Sequence, residues 1–533
     1  MTKSKKILKA PLKKPSSIPQ IPQSPIVAHY IILIIIAFVA GASIMIIELA
    51  AARVLSPWFG NSLYTWTGLI GVILVAMSLG YYLGGWLADR KTDYLTLSHV
   101  LAVSSLSIIC IPVFKIVIGD SLLDADVMWG PVIASILLFA LPGILLGCVS
   151  PYVIRLVSLL SEDKQIGLSA GTIFMLSTLG SVFGTFSAGF IFIPKINLLN
   201  IFLITGSAIS FLSILGYWLS IDTGKKAIYY ILILFSLITL LLVILYLIDP
   251  EKPKNIVYDK NTFYHRIRVT QDIVKNGDKL TSIFLDTTLE GAQYEFSKEI
   301  PIDYQKYWQL SKLFCPKIEK AAFLGGGAFK MPEALLDAYP KAAVDVIEID
   351  PQVGEVGRMF FNVNKYSQMN IIIDDARRYL SNINKQYDLI FGDVYNGVRY
   401  IPAHLLTKEF FKIIRTRLGN NGVFMMNLIG AIRGKKSTLF ASTYKTIKTE
   451  FKYIYVFAIH QKILHNDQNI IIVATNQEIN IDVYSILHSN GNKEIKELLL
   501  TFVSPEKYDG LDGYMLTDNY NPVEYFIAKL LRE

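Results

Sequence analysis

From about residue 29 to 249 the chain is a succession of apolar stretches, near 29–50, 67–88, 97–118, 131–153, 168–193, 198–220 and 228–248. Each approaches the ~20 residues that a helix needs to cross a bilayer. A run this apolar, without β-barrel alternation, can satisfy its backbone inside lipid only as helices. The expectation is a multipass α-helical membrane domain of about seven helices, embedded in a cell membrane with the lipid bilayer as its surroundings. Composition agrees. Hydrophobic residues make up 52% and charged residues 18%, with mean hydropathy +0.43, where a soluble protein would carry about a quarter charged residues. A wholly soluble protein and a disordered one are excluded.

The net charge of +8 is local. Lys3, Lys5, Lys6, Lys9, Lys13 and Lys14 supply six of those charges, and no acid precedes Glu48. The rest is close to neutral, so no nucleic-acid partner is expected. Residues 1–28 read as a disordered basic tail. These lysines, Arg90–Lys91, Arg155/Lys164 and Lys225–Lys226 fall at alternate ends of the apolar segments. They share one side, which the positive-inside rule makes cytoplasmic, the N-terminus included. Seven crossings then put the C-terminal part outside, and a miscounted segment would bring it back. Gly80-xxx-Gly84 and Gly180-xxx-Gly184 allow close helix packing. Glu48 is either a functional ionisable group at membrane depth or an interfacial residue paired with Arg53. Pro142 and Pro151 imply a kink in the fourth helix. Cys110, Cys148 and Cys315 lack disulfide or zinc spacing, and no metal is expected.

Beyond about 255 the pattern becomes α/β. Strands are expected at 264–271, 280–286, 321–325, 344–348, 370–373, 388–392, 422–427, 453–458 and 469–474. Helices are expected at 304–314, 331–338, 351–361, 375–383, 407–417 and 437–450. Residues 255–300 read as a β-hairpin subdomain and 301–533 as a Rossmann-like parallel sheet. The last two strands, joined through His465-Asn466-Asp467, suggest an antiparallel edge pair.

Four strand ends carry the chemistry. Ala321-Ala-Phe-Leu runs directly into Gly325, Gly326 and Gly327, where the backbone can approach a ligand. About 20 residues later Val346-Ile-Glu348-Ile-Asp350 ends a second strand with an acid placed for ribose hydroxyls. A third strand ends at Asp374-Asp375, suited to an adenine amino group. A fourth ends at Asp393. Ligands of open α/β sheets bind at such ends, so a nucleoside site is expected. The alternative is that these acids cap the following helices.

With these residues in view the C-terminal part resembles the spermidine synthases, the polyamine aminopropyltransferases, and the whole chain resembles the fused membrane/spermidine-synthase-like proteins of bacteria. The likeness rests on Tyr264-His-Arg-Ile-Arg-Val269, Leu285-Asp286, Gln293, Tyr304-Gln305, Gly325-Gly-Gly327, Glu348-Ile-Asp350, Asp375, Asp393, Pro402-Ala-His-Leu and Leu516-Thr-Asp518-Asn-Tyr-Asn-Pro522-Val-Glu524. It implies a methyltransferase-type fold and transfer of an aminopropyl group from decarboxylated S-adenosylmethionine to a small-molecule amine. Asp393 would be the catalytic base and Tyr304 would place the amine. Gly325–Gly327, Glu348, Asp375 and Gln293 would hold the donor. Gln305, Asn396 and His404 would face the acceptor. A homodimer through the C-terminal domain is a further expectation.

Three departures from the family pattern remove negative charge. Ala328 stands where the family has an acid after its glycines, Asn396 replaces a second acid three residues past Asp393, and His404 replaces the glutamate of Pro-Ala-Glu. An ammonium buried without a carboxylate is costly, so the acceptor pocket is expected to be altered. Lys330 either meets the carboxylate of ordinary S-adenosylmethionine or is a solvated residue of the first helix turn. Asp518 either reaches the site or caps the last helix. Two other functions remain open: a transporter or sensor with a non-catalytic nucleoside-binding domain, and an S-adenosylmethionine-dependent methyltransferase.

Overall fold

The computed structural model describes residues 26–532 apart from 61, 123–124, 127, 161–165, 219, 221–229, 231–254, 275, 396–399 and 480–491. Six described helical spans are long and apolar enough to cross a membrane. They comprise α1 (Ile26–Phe59), α2 (Leu63–Arg90), α3 (Tyr94–Leu122), the pair α4 (Gly130–Gly147) and α5 (Val149–Leu160), α6 (Ile166–Ser187) with its continuation to Lys195, and the helix Leu198–Trp218. Residues 1–25 of the expected tail, and the seventh segment at 228–248 except Tyr230, lie outside the described residues.

The fourth apolar segment is two helices separated at Cys148. Pro151 supplies the reason: its ring clashes with the carbonyl four residues back, that of Gly147, where α4 ends. The glycine pairs are packing devices. A Cβ on Gly80 or Gly84 would strike the backbone of Ile144 or Cys148, and one on Gly180 or Gly184 the backbone of Phe38 or Ala42. Close approach of α2 to the α4–α5 pair, and of α6 to α1, requires the missing side chains.

After the helices, β1 (Ile256–Asn261), β2 (Arg266–Ile273), β3 (Lys279–Leu285) and β4 (Thr288–Tyr294) form an antiparallel four-stranded sheet in that order. The sequence reading anticipated β2 and β3 but not β1 and β4, whose alternation is broken by charged residues and by a bulge. A second, eight-stranded sheet has the order β12-β10-β11-β9-β8-β5-β6-β7. Its parallel part comprises β5 (Lys320–Leu324), β6 (Ala343–Glu348), β7 (Met369–Ile373), β8 (Tyr387–Gly392) and β9 (Leu418–Gly430). Then β10 (Tyr453–Ala458), β11 (Gln468–Thr475) and β12 (Phe502–Val503) add antiparallel strands.

The pairing of β10 with β11 matches expectation, but the pair is not at the edge. β11 inserts between β9 and β10, and β12 closes the end. The expected helix at 304–314 is mostly a 3-10 helix, Asp303–Leu310, with one α turn, Ser311–Phe314. Both faces of the central strands are buried, which explains their continuous apolar runs.

The C-terminal domain packs on the end of the helical bundle where α1 finishes. Arg53 donates to the carbonyl of Tyr264 at 2.6 Å and to that of Phe263, so it is not spent on Glu48. Leu63 N–H donates to Glu524 at 2.7 Å, and Thr287 hydroxyl to the carbonyl of Pro57 at 3.2 Å. At the opposite end Tyr217 stacks edge-on against His99, near the start of α3. The last described bundle helix thus finishes at the end of the bundle away from the C-terminal domain. Reporter fusions in the Lys91–Asp93 turn and at the C-terminus should therefore report opposite sides of the membrane. The same side for both would contradict this packing.

Candidate active site

The two halves of the parallel sheet diverge between β5 and β8, whose C-terminal ends form a crevice of the kind that binds ligands in open α/β sheets. Asp393 N–H donates to the carbonyl of Leu324 at 2.9 Å. Gly325 has φ +97°, and a Cβ there would collide with the Asp393 carbonyl. Only glycine meets both demands. Gly326 N–H donates to Glu348 Oε2 at 2.9 Å, and Asp350 N–H to Glu348 Oε1 at 2.9 Å. The carboxylate that the sequence assigns to ribose is thus held by the glycine loop. Phe329, at φ +57°, carries its ring against Gly326 and Gly357. This is strained backbone for an aromatic residue.

A cavity of about 240 Å³ opens at this crevice. Five carboxylates line it: Glu290, Glu348, Asp374, Asp375 and Asp393. Tyr304 hydroxyl donates to Asp393 Oδ2 at 2.9 Å, and Asn427 Nδ2 to Asp393 Oδ1 at 3.0 Å. Asn469 in turn donates to Asn427 Oδ1 at 3.0 Å. Burial pushes Asp393 up to about 6, although both hydrogen bonds oppose it. Burial, then the nearby Asp393 and Glu290, hold the Tyr304 phenol well above its ordinary value. Gln305 Nε2 donates to the Glu290 carbonyl and the Tyr304 hydroxyl, both at 3.3 Å.

Several sequence assignments change. Gln293 does not line the cavity. It is buried with its Nε2 on Glu333 at 2.7 Å. Asp375 does line the cavity, yet its Oδ1 caps the helix Ala376–Asn382 and its Oδ2 meets His404 Nε2 at 2.9 Å. Burial raises Asp375, but the Arg378 N–H and His404 more than offset this and leave it low. His404 lines the cavity while half-exposed. Lys330 is not solvated: it is 4% exposed, with Nζ 3.5 Å from Glu333. Asp518 pairs with Arg377 and stays out of the cavity. Asn396 lies outside the described residues.

Sequence reasoning missed Glu290, Asn427 and Asn469, and it quoted His265 and Asp286 in motifs without foreseeing that they pair, at 3.1 Å. Glu290 sits at the bulge of β4, between partners Phe284↔Leu289 and Ile283↔Gly291. Bulges re-aim side chains, and this one sends a glutamate into the cavity. Its Oε1 is buried without a hydrogen-bond partner. Burial, then Asp393 and Glu348, push it up to about 8. Asn427 and Asn469 were visible in sequence only as lone polar residues inside Val-Phe-Met-Met-Asn427-Leu and Asn469-Ile-Ile-Ile-Val. Among the described residues no group of three or more potential ligands could hold a metal ion.

Residues 308–485 match the spermine/spermidine synthase domain. The C-terminal domain is thus similar to the spermidine synthases over that stretch. Over 168 residues the chain is 31% identical to a polyamine aminopropyltransferase of Vibrio vulnificus, covering 31% of this chain and 54% of that one. It thus spans about half the length of that relative. A second relative, polyamine aminopropyltransferase 2 of Aquifex aeolicus, is 22% identical over 448 residues, 79% of this chain and 84% of that one. That match is too long for the C-terminal domain alone and extends into the helical part. Spermidine synthase of Thermotoga maritima is similar at 17% identity and TM-score 0.38, covering 48% of this chain and 88% of that structure.

The two raised carboxyls fix a pH signature for the unliganded protein. A carboxyl raised by folding favours the protonated native state, so its stabilising effect is lost as pH rises through its folded value. Thermal stability of the full chain should fall as pH rises from about 4, where the unfolded carboxyls ionise, fall less steeply above about 6 and level off above about 8. Glu290→Gln should remove the fall between about 6 and 8, as read by Tm against pH. Asp286 and Asp375 are held low and act only in more acid solution.

Proposed function

We propose that this chain is a membrane-embedded aminopropyltransferase that moves an aminopropyl group from decarboxylated S-adenosylmethionine to an amine. The observation that carries the reading is the charge of the cavity. Five carboxylates line it beside a single lysine, and Glu333 already faces that lysine. Such a site favours a donor with a sulfonium and an ammonium and no carboxylate. Lys330, engaged by Glu333, gives little support to the carboxylated donor of a methyltransferase.

Glu348 would accept the ribose hydroxyls, and Asp375 with Asp374 would face the adenine end. The acceptor amine would approach the carbon beside the sulfonium from the Asp393–Tyr304 side. It must lose a proton to become a nucleophile. Asp393, ionised above about pH 6, would accept that proton directly or through one water. Tyr304 and Asn427 fix its two oxygens. The C–N bond forms as the C–S bond breaks, and the electron pair leaves with the neutral thioether nucleoside.

Glu290 answers the charge deficit expected from Ala328. A Cβ on Gly291, its chain neighbour, would press on Ala328, and one on Gly327 would lie 3.1 Å from the Glu290 carbonyl. The glutamate therefore stands beside the position that lost its acid. With Oε1 free, it would pair with the donor's ammonium, and that pairing would draw its pKa down. The donor is cytosolic, so this reading puts the C-terminal domain on the cytosolic side and the start of α1 on the other, against the count of basic residues.

Asp393→Asn should cut turnover ~10²-fold or more while methylthioadenosine still binds; retained turnover would remove Asp393 as the base. Glu290→Gln should raise KM for the decarboxylated donor ~10- to 100-fold, the loss expected of a buried hydrogen bond to a charged group. Methylthioadenosine, which lacks the ammonium, should bind the variant as it binds the wild type.

A further inference from the structure

A second cavity, of about 220 Å³, lies where the C-terminal domain meets the helical bundle. Its lining has the opposite character to the first. Arg53 comes from the end of α1, Lys115 from α3, and Arg266 and Arg268 from β2. Two of the ionisable groups here are already matched. Arg266 is held by both oxygens of Asp259, at 2.8 and 2.7 Å. Asp286 is taken by His265 at 3.1 Å and by the Arg266 N–H at 3.0 Å.

The other three cations share one lining carboxylate, Asp286, which acts on Arg53 and Arg268 without forming an ion pair to either. Arg53 donates to the carbonyls of Tyr264 and Phe263. Arg268 donates through Nη2 to the Asp286 carbonyl at 2.9 Å, and its buried Nε has no partner. Lys115 lies over the Trp58 ring, 5.7 Å from its centre. Among the described residues none of the three forms an ion pair. Partly buried cations in excess of counter-charge are costly. A polycationic substrate would be repelled here, so the cavity is no entrance for an amine.

The remaining walls say where an anion would come from. Pro57, Ile193 and Leu198 give the cavity an apolar side at the ends of the membrane-length helices. That is the level at which phospholipid headgroups lie, and basic pockets between such helices suit acidic ones. We propose that this cavity binds a phosphate-bearing anion, either an acidic phospholipid headgroup or a free phosphate. The bound group would cross-link α1, α3 and β2 and so fix the domain on the bundle.

The test uses the full chain purified in detergent. Its thermal unfolding is followed against dihexanoyl-phosphatidylglycerol, dihexanoyl-phosphatidylcholine and inorganic phosphate. Saturable stabilisation by phosphatidylglycerol beyond that by phosphatidylcholine is expected and assigns the lipid, whereas equal stabilisation by inorganic phosphate assigns the free anion. Lys115→Gln and Arg268→Gln should each weaken the apparent affinity ~5-fold. Lys115→Arg and Arg268→Lys should keep it. Unchanged methylthioadenosine binding shows that each variant is folded. If a glutamine variant does not fold, the wild-type affinity should still fall with added salt. The proposal is overturned if neither anion gives saturable stabilisation, or if the stabilisation is indifferent to both glutamine variants or, where these do not fold, to salt.

Discussion

The candidate active site depends on one backbone contact, the crossing of the β5 and β8 exits. Asp393 N–H rests on the Leu324 carbonyl, and Gly325 turns away at φ +97° with the Asp393 carbonyl in the space where a Cβ would be. This contact sets the separation between the glycine loop and the base. It also lets Gly326 reach back to Glu348, so that the four strand ends act as one rim. An alanine at 325 would displace the loop that orients Glu348 as well as the chain that carries Asp393. Its effect would exceed the usual cost of one helix or strand glycine.

Around that rim the protein gathers carboxylates that repel one another. Burial opposes ionisation of Asp393, Glu348 and Glu290, and each is tolerated for its own reason. Two N–H donors hold Glu348, and Tyr304 and Asn427 hold Asp393. Glu290 has no such donor on Oε1 and stays protonated to about pH 8. Raised carboxyls in a cleft mark functional positions more often than structural ones. Here the least satisfied of them lies beside Ala328, where the family pattern calls for an acid.

The parallel strands and their acidic ends were legible because fully buried strands read as unbroken Val/Ile/Leu/Phe runs, and because glycines and acids punctuate them. Asp393 and Glu348 could therefore be placed at strand ends by residue number from sequence, whereas Tyr304 came from the resemblance alone. Gln293 was assigned through the resemblance and lies buried on Glu333, while Glu290 enters the cavity from a bulge with no local signature beyond Gly291. Lys330 misled because the first turn of a helix is ordinarily solvated, while here Phe329 and Glu333 bury it. The helices of the bundle were legible by length. The break at Cys148 needed Pro151 to be read as the end of one helix, not as a kink within it.

The two cavities share His265, and between them the domain sorts charge by sign. On the active-site side the excess is negative, and it suits a cationic donor and an amine. On the bundle side the excess is positive, with four basic side chains against the single lining carboxylate of Asp286. The β3–β4 turn makes this separation sharp. Asp286 adopts φ +55° in a two-residue turn, a conformation that aspartate tolerates better than most residues, and this aims its carboxylate at His265. The hydrogen-bonded His265–Asp286 pair thus stands between the two cavities. An anion held by Arg53, Lys115 and Arg268 would steady the Tyr264–His265 wall of the active-site cavity. The bundle-facing end of the domain would then bear on its chemistry by fixing the position of that wall, with no need for the helices to touch the substrate.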